Sequence, residues 1–308
     1  MQTRTVKTAI SLAALMTAAL RIWSPEANAY SGIVVFGDSN SDTGNPATLF
    51  GNVPPSPPYF EHRFSNGPVW VERLAERLGL PGPVASERGG TNYAWGGATT
   101  GSVPNPFGVI GMDAQVLEYL ATRSPAPDEL FVLWGGGNDF SFGQTNPNAP
   151  VQFLATQISN LAAAGARNFL VGNLPANQAG ISLNWAQRFN SALSMELHAL
   201  RASQPEVNII EFDYFSSWEE HKSNPSAFGF TNVFNPACGD CGVGLNANPT
   251  NIVPNSDEYY FWDDVHWTAT AHRLIGDTAF AVIPEPSSVF LALAAAAALR
   301  IQRKRRPD

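Results

Sequence analysis

Lysine is almost missing from the body of this chain. Between residues 30 and 283 only Lys222 occurs, and ten basic residues there face 23 acidic ones. So acidic a surface repels phosphate backbones and anionic headgroups, which excludes a nucleic-acid-binding role. Cysteine is scarce too, with two in 308 residues, set as Cys238-Gly-Asp-Cys241. Structural zinc wants four ligands, and no second pair exists. A thioredoxin-like redox pair would open a helix after a strand, whereas this one lies in the stretch NPACGDCGVGLNANP. There is no G-x-S-x-G, so the nucleophile elbow of the α/β-hydrolases is excluded. G-x-x-x-x-G-K-[ST], G-x-G-x-x-G and H-E-x-x-H are absent as well, which removes support for nucleotide, dinucleotide and zinc-protease chemistry. No internal repeat of 20–50 residues is visible.

What is present begins with two unusual ends. Residues 1–29 carry Arg4 and Lys7, an apolar stretch from Ala9 to Leu20, and Ala27-Asn28-Ala29. That is the plan of a secretory signal peptide cut after Ala29. In an exported chain the cysteine pair reads as a local disulfide between Cys238 and Cys241. The other end has Pro284-Glu285-Pro286, then eleven apolar residues from Val289 to Leu299, then Arg303-Lys304-Arg305-Arg306. Eleven is short of the roughly 20 that a full membrane span needs. Basic ends around an acidic body fit cytoplasmic ends with an exported middle.

The middle alternates short apolar runs with amphipathic segments. Ile33–Phe36, Leu130–Trp134, Phe169–Val171 and Val207–Phe212 read as buried strands. Pro68–Leu78, Asp113–Thr122, Val151–Ala164, Leu183–Ala202 and Thr268–Val282 read as helices, the first with Pro68 in its opening turn and Gly79 as its stop. Such alternation predicts an α/β fold, a parallel sheet with helices on both faces. Ligands in such sheets bind beyond the carboxyl ends of the strands. There the polar residues gather: Gly37-Asp38-Ser39, then GGTNYAWGGATTG, then WGGGNDF, then GNLP, and FWDDVHWT before the last helix.

Acyl transfer needs a nucleophile, a base, a group to orient the base, and oxyanion donors. Ser39 stands where a strand meets a loop. His266 follows Asp263 by three residues, so the carboxylate can reach one imidazole nitrogen and leave the other for Ser39. Asn138 offers an amide, and the glycines around Gly97 offer unobstructed N–H groups. Asp264 and Gly96 are the nearest rivals of Asp263 and Gly97. Asp38 and Asp42 read as acceptors bracing the loop, with the NSDTGN stretch forming part of the substrate wall. His272 reads as a helix-face residue, and His62, His198 and His221 as surface or packing histidines. Trp95, Trp134 and Trp262 read as core.

The blocks FGDSNSDTGN, NYAWGGATT, GGND and FWDDVHWT, in that order, resemble the GDSL/SGNH family of ester hydrolases, particularly its secreted lecithinase- or haemolysin-like branch. The resemblance covers about residues 31–282. It implies a three-layer α/β/α sandwich, flavodoxin-like, with a central parallel sheet, hydrolysing carboxylic esters without metal or cofactor. By position it makes Ser39 the nucleophile, Asp263 and His266 the rest of a triad, and the Ser39 N–H, Gly97 and Asn138 the oxyanion hole. Asn40 departs from the leucine of the family name. The substrate class stays open between lipid and acylated glycan, a polysaccharide deacetylase and a surface-attached binding protein with a dormant site being the alternatives. The Pro-Glu-Pro tail resembles the PEP-CTERM sorting signal, which implies an exosortase-type partner and transient inner-membrane attachment. The implied organisation is signal peptide 1–29, hydrolase domain 30–283 and sorting segment 284–308. The implied location is the periplasm, outer surface or extracellular matrix of a Gram-negative bacterium.

Overall fold

The apolar runs become a single parallel sheet because helices cover both of its faces. The computed structural model describes residues 30–176, 180–241 and 251–284. The expected signal peptide and the expected sorting segment after Pro284 lie outside the described residues. β1 (Gly32–Gly37), β2 (Glu129–Trp134), β3 (Asn168–Gly172) and β4 (Asn208–Phe212) pair in parallel in that spatial order. A sheet buried on both sides needs continuous apolar strands, and Val34, Val35, Phe36 and Leu130 to Leu133 are fully buried. Beyond β1, the Val35 N–H donates to the Thr91 carbonyl at 2.9 Å and the Tyr93 N–H to the Val35 carbonyl at 2.8 Å. Residues 91–93 thus add a short parallel edge. Counting it, the order across the sheet is second, first, third, fourth, fifth, which is the flavodoxin-like winding.

The helices are α1 (Asn45–Phe50), α2 (Trp70–Arg77), α3 (Met112–Thr122), α4 (Gly137–Ser141), α5 (Asn148–Ala164), α6 (Leu183–Ser203), α7 (Tyr214–Ser223) and α8 (Ala269–Ala281). α2 packs on α8 on one face of the sheet, while α3, α5 and α6 line the other. Side-chain alternation along the strands sorts the contacts. Phe36 and Phe131 send their rings to Tyr119 of α3, whereas Trp134 and Phe212 meet Trp70 of α2. Phe131→Ala would leave a cavity costing about 3–5 kcal/mol.

Several boundaries differ from the sequence expectation. α2 begins at Trp70, because the Glu72 carboxylate takes the Val69 N–H at 2.8 Å and makes Val69 the cap. Pro68 therefore lies outside the helix rather than in its first turn. α5 begins three residues earlier than expected, with Pro150 tolerated in its first turn. α7 lies outside the helices that the sequence predicts; Asp213 caps it by accepting the Ser216 N–H at 3.1 Å. A second small sheet, β5 (Asn232–Pro236) with β6 (Tyr259–Phe261), occupies a stretch whose scattered apolar residues give no strand period. It brings the Cys238–Cys241 turn against the segment before Asp263, through Ala237 N–H to Phe261 O at 2.9 Å and Cys238 N–H to Trp262 O at 2.8 Å. Cys238 and Cys241 are joined as a disulfide.

Ser39 follows β1 and Asn138 follows β2, so the two flank the point where the winding reverses. A crevice opens there by topology alone.

Candidate active site

The polar loop after β1 turns inward. Ser41, Asp42, Thr43 and Asn45 are all buried. Gln115 of α3 clamps the strand end, its amide accepting the Gly37 N–H at 3.0 Å and donating to the Gly37 carbonyl at 2.9 Å. Asp42 accepts the N–H groups of Gly44 at 2.7 Å, Asn45 at 2.9 Å and Gly96 at 2.8 Å. Asn45 donates to the carbonyls of Asn92 and Ala94, and Asn92 donates back to Ser41. These bonds make Asp42 the brace expected of it, while Asn40 edges a small cavity beside Ser39. The loop is a buried brace, since each polar atom removed from water needs a partner inside. Burial pushes the Asp42 carboxyl up to about 7, with the three N–H donors pulling the other way. Asp38 is likewise pushed up by burial, to about 6, and takes the Asn40 N–H at 3.0 Å.

The brace leaves Ser39 facing out of the loop. Its Oγ lies 2.8 Å from His266 Nε2. On the other side of the ring, His266 Nδ1 is 2.7 Å from Asp263 Oδ2 and 3.0 Å from Oδ1. A neutral imidazole with its proton on Nδ1 satisfies both contacts, which leaves Nε2 as the acceptor for the serine proton. Asp263 is completely buried and also accepts the backbone N–H groups of Val265 at 2.9 Å and His266 at 2.7 Å. Thr268 caps α8 immediately after, which sets the tight turn holding Asp263 beneath the ring. The Phe64 ring lies 4.9 Å from the imidazole and limits its rotation. Asp264, the rival carboxylate, is exposed and lines the cleft instead.

The structure also separates Gly97 from Gly96. Asp42 takes the Gly96 N–H, and among the described residues nothing accepts the Gly97 N–H. Gly97 has φ +81, and a Cβ there would stand 2.7 Å from Phe107 Cδ2. Two requirements thus demand glycine at this position. Asn138 is no ordinary turn residue: its Nδ2 donates one hydrogen to the Ala98 carbonyl at 2.9 Å, leaving the other for a ligand. The neighbouring Asp139 accepts Thr100 N–H, Thr100 Oγ1 and Ser102 Oγ, so the GGND block is clasped to the GGATTG block.

Ser39, Gly97, Asn138 and His266 share one cleft of about 590 Å³, walled by Phe50, Val53, Phe64, Phe107, Val109 and Phe142. A second, small cavity of about 30 Å³ also touches Ser39 and Asn138, beside Asp38, Asn40 and Trp134. The other histidines stand apart. His272 is buried between α8 and α2, its Nδ1 accepting the Trp70 N–H at 3.1 Å, and burial lowers its pKa to about 3. His221 pairs with the Tyr260 hydroxyl at 3.0 Å, and burial keeps it neutral as well. His62 Nδ1 meets the Pro54 carbonyl. Trp95 and Trp262 are core residues, while Trp134 packs in the core and edges the small cavity.

One contact has no precursor in the sequence pattern. Tyr59, in the proline-rich stretch PPSPPYFEH, donates its hydroxyl to Asp263 Oδ2 at 2.6 Å. Neither spacing nor periodicity singles out this tyrosine, since only the chain's return to α8 brings it near.

A phosphatidylcholine-sterol acyltransferase of Aeromonas hydrophila is 27% identical over 85% of this chain and 90% of its own length. A GDSL esterase/lipase of Arabidopsis thaliana is 31% identical over 80% of this chain and 83% of its own. Among solved structures, a carbohydrate acetylesterase from Sinorhizobium meliloti superposes with a TM-score of 0.46 at 15% identity, covering 82% of this chain and 97% of that one. The aryl esterase of M. smegmatis gives 0.44 at 18% identity, covering 82% and 99%. The family model for GDSL-like lipase/acylhydrolase matches residues 33–279. That match begins in β1, just ahead of Ser39, and ends in α8, just past His266. The chain therefore belongs to the GDSL-like lipase/acylhydrolase family, and it is a serine ester hydrolase acting on carboxylic esters.

Proposed function

We propose that Ser39 is the nucleophile of a lipid-type acylhydrolase of the lecithinase- or haemolysin-like branch, with Asp263 and His266 completing its triad. The observation that carries the reading is the 2.8 Å contact between Ser39 Oγ and His266 Nε2, at the floor of an apolar cleft. His266 takes the serine proton as Oγ attacks the ester carbonyl. The N–H groups of Ser39 and Gly97 and the Asn138 amide hold the oxyanion. The imidazolium gives its proton to the leaving alcohol. Water then attacks the acyl-enzyme with His266 again as base, while Asp263 stays ionised and fixes the tautomer. The six apolar walls favour a hydrocarbon acyl chain over an acetyl group, because each buried CH₂ contributes about 0.8 kcal/mol. The Aeromonas relative, named for phosphatidylcholine, is compatible with that choice.

A panel of p-nitrophenyl esters tests this. Eight- to twelve-carbon chains should exceed acetate in kcat/KM by roughly tenfold or more. Preference for acetate would turn the reading to polysaccharide deacetylation. Ser39→Ala should remove on the order of 10³-fold or more of kcat with the fold retained. A fluorophosphonate probe that labels a different serine would overturn the assignment.

The ends of the chain complete the proposal. A signal peptide at 1–29 exports the hydrolase domain, residues 30–283. The segment 284–308 is a PEP-CTERM-type sorting tail that attaches it briefly to the inner membrane until an exosortase-type enzyme removes it. Among the described residues no helix is long and apolar enough to cross a membrane. A chain ending at Ile283 should keep full esterase activity, and protein recovered from the native cell surface should lack Arg303 to Arg306. Intact tail peptides on that surface protein would refute the sorting role.

A further inference from the structure

We propose that Tyr59 is a positioning residue for the hydrolytic reaction, holding Asp263 through its hydroxyl and thereby setting how strongly that carboxylate polarises His266. This rests on the reading of Asp263 and His266 given above. The geometry is specific. Asp263 Oδ2 receives the Tyr59 hydroxyl at 2.6 Å and His266 Nδ1 at 2.7 Å, so one oxygen is shared between the tyrosine and the base. Oδ1 is occupied by the backbone N–H groups of Val265 and His266. With Tyr59 in place, every donor direction toward the buried carboxylate is used.

The tyrosine is itself fixed. Its side chain is 1% exposed and packs edge-on against Trp262 and Phe64, within a small cluster that includes the Cys238–Cys241 disulfide. Its hydroxyl also lies 3.5 Å from the Cys241 carbonyl. Burial and the adjacent Asp263 charge raise the phenol pKa, so Tyr59 remains a protonated donor throughout the working range. Three segments distant in sequence thus meet around one tyrosine: the proline-rich loop, the disulfide turn and the Asp263 turn.

The consequence has a sign. A hydroxyl donated to a carboxylate draws charge away from it. Removing that donor concentrates charge on Asp263, which favours the imidazolium during proton transfer. It also frees the carboxylate to leave the plane of the ring. Asp38 and Asp264 are ionisable groups whose charge is felt by the pair, while burial keeps His272 neutral in the working range. None of them contacts the Tyr59 hydroxyl, so they act alike in wild type and variant.

The experiment is a double-mutant cycle on the full chain with a p-nitrophenyl ester: Tyr59→Phe, Asp263→Asn, and both together. Tyr59→Phe should lower kcat on the order of tenfold with KM within about twofold, because a hydrogen bond to a charged group is lost. The acidic limb of its kcat/KM profile should move up by about half a pH unit. In the Asp263→Asn background the same replacement should change kcat by less than about twofold. Equal losses in both backgrounds would make Tyr59 a packing residue and overturn the proposal. An acidic limb unmoved in Tyr59→Phe would do the same. Full activity of Asp263→Asn alone would instead overturn the triad assignment, and this proposal with it. Should the phenylalanine variant not fold, 3-fluorotyrosine at position 59 gives a stronger donor in nearly the same volume. It should move the limb down, and an upward or absent shift would refute the mechanism.

Discussion

Phe107 lies against Gly97 so closely that a methyl group on Gly97 would stand 2.7 Å from the ring. The Asn105 side chain donates to the Gly97 carbonyl, and the Phe107 N–H donates to Asn105 Oδ1 at 2.8 Å, which fixes the ring in place. Gly97→Ala therefore meets both steric contact and an unfavourable positive φ. It should lower kcat roughly 10²-fold by shifting the oxyanion N–H. Gly97→Ala with Phe107→Ala should recover part of that loss, since only the backbone strain then remains. No recovery would mean that Phe107 does not confine the glycine.

Asn138→Ala should reduce kcat by roughly 10²–10³-fold while KM changes much less, as befits a donor used chiefly in the transition state. Steady-state kinetics on one ester decide it. A rise in KM at constant kcat would make Asn138 a ground-state binder.

The two adjacent aspartates should separate cleanly. Asp263→Asn puts the imidazole in the wrong tautomer and should cost about 10³–10⁴-fold in kcat. Asp264→Asn, at an exposed carboxylate of the cleft, should stay within about threefold. The reverse ranking would mean that the contact to His266 Nδ1 is not the orienting one.

The stability contributed by Asp38 and Asp42 should be lost as pH rises from about 4 to 7. Burial raises Asp38 to about 6 and Asp42 to about 7, above the ordinary value of 3.8 that each regains on unfolding. Across that window these two groups bind more protons in the folded chain than in the unfolded one, so their contribution to the slope of stability against pH is negative. His221 and His272, lowered by burial from 6.5 to about 4 and about 3, contribute the opposite slope within the same window, and Asp213 does so below pH 4. Asp38→Asn keeps an acceptor for the Asn40 N–H and removes one titration. The slope of its melting temperature against pH over pH 4–6 should be more positive than that of wild type. Identical slopes would show that Asp38 does not titrate in this range.

Much of this protein was legible in its linear order. Parallel-sheet strands are buried on both faces, so their apolar runs announce themselves without knowledge of partners. Long helices carry period and caps locally, as Ser182 before α6 and Thr268 before α8 show. Ser39, Asp263, His266, Asn138 and Gly97 could be singled out because oxyanion glycines, a strand-end serine and an Asp-x-x-His turn are short-range patterns. Acidic composition likewise excluded a nucleic-acid role with no coordinates at all.

Tertiary structure alone decided the rest. That Asp42 spends an oxygen on Gly96, and so leaves the Gly97 N–H unoccupied, depends on residues 54 positions apart. The inward turn of the loop after β1 depends on Asn45, Asn92 and Gln115 meeting there. β5 and β6 form because their partners arrive from elsewhere, not because either has a strand period. Tyr59 reaches Asp263 across 204 positions of sequence. A local pattern records which residues a chain can place on one turn or one face. Which hydroxyl meets which buried carboxylate is set by chain return, where desolvation forces polar atoms to find partners regardless of their separation in sequence.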